Sequence, residues 1–518
     1  MKHLLKYLLI FFGFAPAVYA QPLDIDTIQK KIYIDEVESW ADIVGNHEKS
    51  NSKDTLTIQC KLDDCILRAL EHSPSISETL NQIKSQEKAL LASTRAWLPT
   101  LSISANPLFG SYWNTSITEP LIHNYFSEGK KAIAANPDHA DFIEDGVTPS
   151  YTFTNSGYKD ISGSIKWTFL DIPRSYTIQE NKQRVNQYKY LHNIAARDLA
   201  YRVSLVHSQL IADKITLGKY NDIINASENA LKTFNQQYKI GFITLADLSK
   251  SKNQNLNILS TYLAIATRFQ KNSAYLASLL GHEESFVTPL ETEIQITDWE
   301  KPLNETLQLA KNNNERFHSL MAEASSLLKK SKALSLNILP SFYAFVNGSY
   351  QEQNGFVDTP LTPKYRSFYM EDSYEWSASA GLGFNLVIDG GRSLAEASSI
   401  KYRALAVQDQ AADDQLNTTS IIKAAFEGLS NNLLRIKIAN EAVKQAENAN
   451  LVFETVSKLG VINVTQRVQA ISLYSQSVIE LAKASLDAKN AELLLYRYTY
   501  TLPENSPVRE KLYSFMEL

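Results

Sequence analysis

Trp376-Ser377-Ala378-Ser379-Ala380-Gly381-Leu382-Gly383-Phe384-Asn385-Leu386-Val387-Ile388, running into Asp389-Gly390-Gly391-Arg392, is the stretch on which the fold turns. Side chains of a strand alternate between its faces, so Trp376, Ala378, Ala380, Leu382, Phe384, Leu386 and Ile388 share one face and Ser377, Ser379, Gly381, Gly383 and Asn385 the other. A strand of this length, apolar on one side only, is in the range of the ~10-residue tilted strands of outer-membrane barrels. The sequence beyond it is of another kind. From Lys364 to Leu502 there is no proline, and past Arg392 the composition favours helix formers such as Ala, Leu, Lys, Gln and Glu.

The same succession occurs earlier in the chain. Thr100–Asn106 and Ile161–Phe169 alternate as strands, Ser341–Tyr350 is a third, aromatic-rich run, and Arg174–Thr288 is a second proline-free stretch. Leu98-Pro99 matches Leu339-Pro340, Asp171 and Arg174-Ser175 match Asp389 and Arg392-Ser393 at an offset of 218, and Gly241 matches Gly460 at 219. These correspondences define two structural repeats, each reading helix, strand, loop, strand, long helix, turn and return helix. The inter-strand loops are expected at Pro107–Lys159 and Gln351–Tyr374. The turns fall at Lys239-Ile240-Gly241-Phe242-Ile243-Thr244 and Lys458-Leu459-Gly460-Val461-Ile462-Asn463. The arms leading into them would each be about 100 Å long if continuous, at ~1.5 Å per residue. Steps of three and four after Gly241 pick out a seam of Leu245, Leu248, Asn255, Leu259, Tyr262, Ala266, Phe269, Ser273, Leu276 and Leu280. A looser seam comes after the second turn, through Val464, Val468, Ile471, Val478 and Ala482. Beside them, Asn253, Gln254 and Asn257 read either as a solvated face or as the wall of a water-filled channel.

Composition narrows the function. The 518 residues carry 51 basic and 56 acidic side chains, a net charge of -5 with no basic stripe, which argues against nucleic acid as a partner. Lys2 and Lys6 before the apolar run Tyr7–Phe14, with Val18 and Ala20 ahead of Gln21, predict a signal peptide over residues 1–20. No later stretch reaches the ~20 apolar residues of a spanning helix. Cys60 and Cys65 are then read either as a local disulfide in an oxidising compartment or as two free thiols. The nine histidines lack metal-ligand spacing, and no nucleophile turn or phosphate loop is present, so neither an enzyme nor a cofactor or metal site is expected. Four strands cannot close a barrel, and an open sheet cannot sit in lipid, so membrane strands imply an oligomer of 8 or 12 strands. The alternative reading is a periplasmic adaptor or coiled-coil interaction protein, which would carry a single hairpin between β-rich domains.

The helix Leu62–Arg95 with Ala69-Leu70 and Ser73-Pro74, its ending Arg95-Ala96-Trp97-Leu98-Pro99, the junction Leu386–Arg392 and the turn Leu459-Gly460-Val461 together resemble the TolC-like outer-membrane efflux proteins over residues 60–500. The resemblance implies a mainly α protein with a membrane β-barrel: a homotrimer whose 12-stranded barrel, four strands per chain, sits in outer-membrane lipid and continues as an α-helical barrel into the periplasm. It implies a conduit for efflux or type I secretion, with a periplasmic adaptor docking at the tips (Gly241, Phe242, Ile243, Leu245, Gly460, Val461, Ile462 and Val464) and an inner-membrane pump of the RND or ABC type behind it. Residues 21–59 then form an N-terminal extension, 60–281 the first repeat, 282–302 an equatorial linker, 303–498 the second repeat and 499–518 a C-terminal equatorial segment.

The sequence also departs from that pattern. Ile172-Pro173 replaces Gly-Gly at the first junction, although proline suits a first helical turn. Asp247 stands where the family closes its periplasmic mouth, but Ser457 and Ile462 occupy the positions of its Tyr and Arg partners, leaving Arg467 as a substitute, or leaving Asp247 as a helix cap. Gln466 and Gln469 stand where the family carries rings of aspartate.

Overall fold

Asp389 marks where strand becomes helix. In the computed structural model, which describes residues 56–118, 150–282, 285–358, 368–458, 463–502 and 506–516, its carboxylate accepts from the backbone N–H of Gly391 (3.1 Å) and Ser393 (2.9 Å) and from the Ser393 hydroxyl. It thereby satisfies donors that the first helical turn leaves open. Gly390 and Gly391 make the bend at φ +66° and +88°, in the region a β-carbon disfavours. The expected signal peptide, most of the N-terminal extension and the turn at Gly460, Val461 and Ile462 lie outside the described residues.

In chain order the elements are β1 (Leu56–Cys60), α1 (Leu62–His72), α2 (Pro74–Arg95), β2 (Thr100–Ala105), β3 (Gly110–Thr118), β4 (Ser150–Leu170), α3 (Ile172–Lys239), α4 (Leu245–Leu279) and β5 (Ser285–Pro289). They continue with α5 (Leu303–Asn312), α6 (Glu315–Ser335), β6 (Ser341–Asp358), β7 (Phe368–Asn385), α7 (Arg392–Lys458), α8 (Val464–Thr499) and α9 (Pro507–Met516). The long arms α3 and α7 are single helices of 68 and 67 residues.

Two compact units cut across the sequence repeats, each taking pieces of both. One comprises Ile66–Tyr201, Glu300–Ala425 and the chain from Leu494 onward, and holds the main sheet. Its helices pack through small side chains: Ala69, Ala196, Ala310, Ala324, Ala404 and Ala411 are all buried, beside Leu199, Ile422 and Leu495. The other comprises Arg202–Trp299, Phe426–Leu493 and the chain up to Cys65. Its core is the predicted seam: Leu248, Leu259 and Tyr262 of α4 pack with Tyr220, Ile223 and Phe234 of α3 and with Val464, Val468, Ile471 and Val478 of α8. The polar interruptions in that seam are satisfied, Asn255 donating to Ser227 (3.2 Å) and Tyr220 bonding Ser475 (2.7 Å). Leu245, expected in the seam, is exposed instead.

The main sheet is antiparallel throughout. β4 pairs β6 and β6 pairs β7, while β2 and β3 lie end to end along the other edge of β4, separated by the segment holding the cis Asn106-Pro107 bond. It is four strands wide, as expected, but its strands are longer. β4 starts at Ser150, β6 runs to Asp358 and β7 begins at Phe368, so much of the two expected loops is ladder. β7 ends at Asn385, and Leu386–Ile388 lie outside it, three residues short of the predicted end. A second, two-stranded sheet has no counterpart in the sequence reading. β1 pairs in parallel with β5, at the edge of the expected extension and inside the expected linker. Cys60 closes β1 and bonds Cys65 in α1 as a disulfide, their Cα atoms 6.0 Å apart, which resolves the two readings of the cysteines.

Candidate functional site: the amphipathic sheet and the helical tip

The register of the ladders sorts the main sheet into two chemically opposite faces. One row runs Ala105, Ile161, Tyr350, Trp376, and others run Leu101, Ile165, Val346, Ala380 and Trp167, Ala344, Leu382. Large apolar side chains on this face are uncovered, Ile103 by 74%, Trp376 by 73% and Leu382 by 78%. From Phe342 to Tyr350 the apolar band is ~26 Å long at ~3.3 Å per residue, comparable to the ~25 Å band of membrane barrels. Beyond Tyr350 and Trp376 the same face turns polar at the Lys159–Glu352 pair (2.8 Å). The opposite face is a ladder of hydroxyls: Ser102 bonds Ser164 (2.7 Å), Ser104 bonds Ser162 (2.8 Å) and Ser349 bonds Ser377 (2.8 Å). Gly383 leaves room there for the Tyr343 ring, which lies 2.6 Å from where a β-carbon would stand. Among the described residues the outer edges of β2, β3 and β7 pair with no strand.

Where strands enter helices, the motif Arg95-Ala96-Trp97 acquires a physical role. Arg174, at the start of α3, donates to the Ala96 carbonyl (2.7 Å), lies over the Trp97 ring (4.8 Å) and pairs with Asp171 (3.1 Å). Trp167 donates to the Trp97 carbonyl (2.9 Å).

At the far end of α3, Gly241 adopts φ +79° and Phe242 N–H reaches back to the Gln237 carbonyl (2.8 Å), closing the helix in the manner of a Schellman turn. Ile240, Phe242 and Leu245 protrude as an apolar tip, Phe242 being 79% exposed, while Ile243 packs against the core. Val464, assigned with them to docking, lies in the core at 2% exposure, so its side chain is not offered to a partner. Within one chain Asp247 and Arg467 do not meet. Asp247 forms a capping box with Thr244, whose hydroxyl accepts from Asp247 N–H (3.2 Å). Arg467 is buried and donates to the carbonyl (2.7 Å) and side-chain oxygen (2.8 Å) of Asn450. A guanidinium 1% exposed cannot reach across a mouth to another subunit without leaving that pocket. Burial lowers its pKa and the Glu454 carboxylate opposes this. Gln466 and Gln469 are exposed and uncharged, and Lys250 donates to Thr465 (3.3 Å).

A buried ionic cluster at the start of α6 has no signal in the sequence reading. Arg197 pairs with Glu315 (3.0 Å), donates to the Asn313 carbonyl (3.1 Å) and lies 3.7 Å from the Tyr500 ring centroid. Burial, only partly countered by Arg197, pushes the Glu315 carboxyl up to about 7. Arg316 pairs with Asp414 (2.9 Å) and Arg497 with Asp198, around a cavity of about 90 Å³. A helical heptad shows which positions face inward, but not which two buried charges will meet.

No protein-family model matches the chain, and no curated protein matches it. Solved structures do. The outer membrane channel CmeC of Campylobacter jejuni superposes with a TM-score of 0.63 at 10% identity, over 88% of this chain and 89% of that one. The outer membrane protein VceC of Vibrio cholerae gives 0.62 at 14% identity, over 85% and 95%. The open state of the Neisseria gonorrhoeae MtrE outer membrane channel gives 0.56 at 14%, over 85% and 88%. With its four-strand-wide sheet, its paired long helices and these neighbours along nearly the whole chain, the protein has the fold of the TolC-like outer-membrane channels.

Proposed function

We propose that the protein is the outer-membrane conduit of an export system. Three copies join their sheets edge to edge into a 12-stranded barrel, continue as a helical barrel into the periplasm, and conduct cargo passively for efflux or type I secretion. The observation that carries this reading is the main sheet, with its uncovered apolar face, its hydroxyl-lined face and its two open edges. Lipid is the solvent that such an apolar face requires, and closure with further copies is the way its edges find partners there. The resemblance to TolC-like proteins supports a periplasmic adaptor at the tips, where Ile240, Phe242 and Leu245 stand exposed, and a pump of the RND or ABC type in the inner membrane.

Two measurements test the reading. The protein should stay with outer membranes through a high-salt wash, and the purified oligomer should form stable conducting pores in planar bilayers. A soluble periplasmic monomer without conductance would remove it. A photoreactive group at Phe242 should crosslink to an adaptor in cells, and crosslinking from an exposed mid-helix position such as Leu263 but not from Phe242 would remove the docking part.

A further inference from the structure

The hydroxyl-lined face of the sheet carries its charges at the two ends. Asp160 and Glu375 share a row through Gln351, each pairing with it across a ladder. Six residues further along β4, roughly 20 Å at ~3.3 Å per residue, Lys166 sits on the same face, next to the helix-forming end of the strand. Between the two rows this face is built of serines and Asn347, none of them charged. Lys166 has Thr100 and Phe345 opposite it in the ladders, so no carboxylate faces it from a neighbouring strand. Its ammonium lies 4.3 Å from the centroid of the Tyr343 ring. That ring in turn is held over Gly383, and Phe345 over Gly381, where a β-carbon would stand 2.6 Å and 3.0 Å from them. The glycines therefore let two aromatic rings lie down on the sheet, and the lysine is placed on that platform by a cation–π contact instead of sweeping freely through solvent.

We propose that Lys166 is a selectivity-determining residue of the conduit, its copies forming a cationic ring on the lumen side of the barrel at the end next to the helices, and that this ring favours anionic over cationic solutes. The inference rests on the conduit reading, in which the hydroxyl face becomes the lumen. Fixed charges on a pore wall raise the local concentration of counter-ions within about a Debye length, ~10 Å at 0.1 M salt and ~30 Å at 0.01 M. At ~0.1 M salt the roughly 20 Å to the acidic row at Asp160 and Glu375 is about two Debye lengths, so the two zones are distinct; at ~0.01 M they overlap, and the contribution of Lys166 is read from the change that its substitution makes.

The test is the potassium-to-chloride permeability ratio, taken from reversal potentials across a potassium chloride gradient in planar bilayers at low ionic strength. Lys166→Gln should raise the ratio about twofold, Lys166→Glu should raise it further, and both effects should fade as salt screens the wall. Should Lys166→Glu fail to assemble, Lys166→Gln carries the measurement alone. Parent pores that conduct while Lys166→Gln leaves the ratio unchanged at every salt concentration would overturn the assignment but not the conduit. A parent protein that forms no pores would overturn the conduit reading itself.

Discussion

Glu315 sits in an environment that alters its chemistry. Its carboxyl is raised from 4.5 to about 7 by burial, so the folded state binds a proton that the unfolded chain releases near pH 4.5. The stability linked to this group is present in full below about pH 4.5 and is lost as pH rises through about 7, the reverse of the usual carboxylate. Glu315→Gln, which imitates the protonated acid, should remove a fall in thermal midpoint between pH 5.5 and 8 that the parent shows; parallel profiles for the two would contradict the assignment. Gly241 illustrates a different constraint. Nothing lies within 4 Å of where its β-carbon would be, so only the positive φ opposes substitution. Gly241→Ala should lower stability by roughly 1 to 2 kcal/mol without blocking assembly, as denaturant unfolding and gel filtration would report. Gly241 is legible in the sequence because a helix-ending glycine has a local cause. Arg467 is not, since its partner Asn450 sits on the preceding arm, 17 residues away across a turn.

Among the elements, those with the plainest sequence signal carry the chemistry of the sheet. Alternation from Trp376 to Phe384 gives β7 its two faces, and the consequence for the proposed barrel is testable: Phe384→Arg would place a charge in lipid at ~2 to 4 kcal/mol near the midplane, whereas Asn385→Arg faces the other way. Phe384→Arg should reduce heat-resistant oligomer in outer membranes far more than Asn385→Arg, and equal tolerance would count against the barrel. Strand ends are less legible. Residues 150–158 and 351–358 are rich in Ser, Thr, Asn, Gln and Gly, which weaken the apolar alternation and make ladder resemble loop. The parallel pair β1 and β5 gives no sign, because two five-residue strands more than 200 residues apart have no local pattern that announces their meeting. The helical seams read well because burial recurs every three to four residues along α4 and α8.

For the whole molecule, stability and assembly become one quantity if the sheet closes only with other copies. Dilution of the detergent-solubilised protein should then lower its thermal midpoint and not release a stable folded monomer. A folded monomer persisting at nanomolar concentration in analytical ultracentrifugation would show that the edges need no partner. The open edges of β2, β3 and β7 also bear on the time before any barrel exists. A newly exported chain would carry in the periplasm a hydrophobic surface together with two templates for strand addition, the combination from which unending aggregates grow. Ring closure acts on such a chain as termination acts on a polymer, because the last edge consumes the first and no growing end is left. Partial unfolding that reopens a ring would restore that growing end, so the hazard would return with damage and not only at birth.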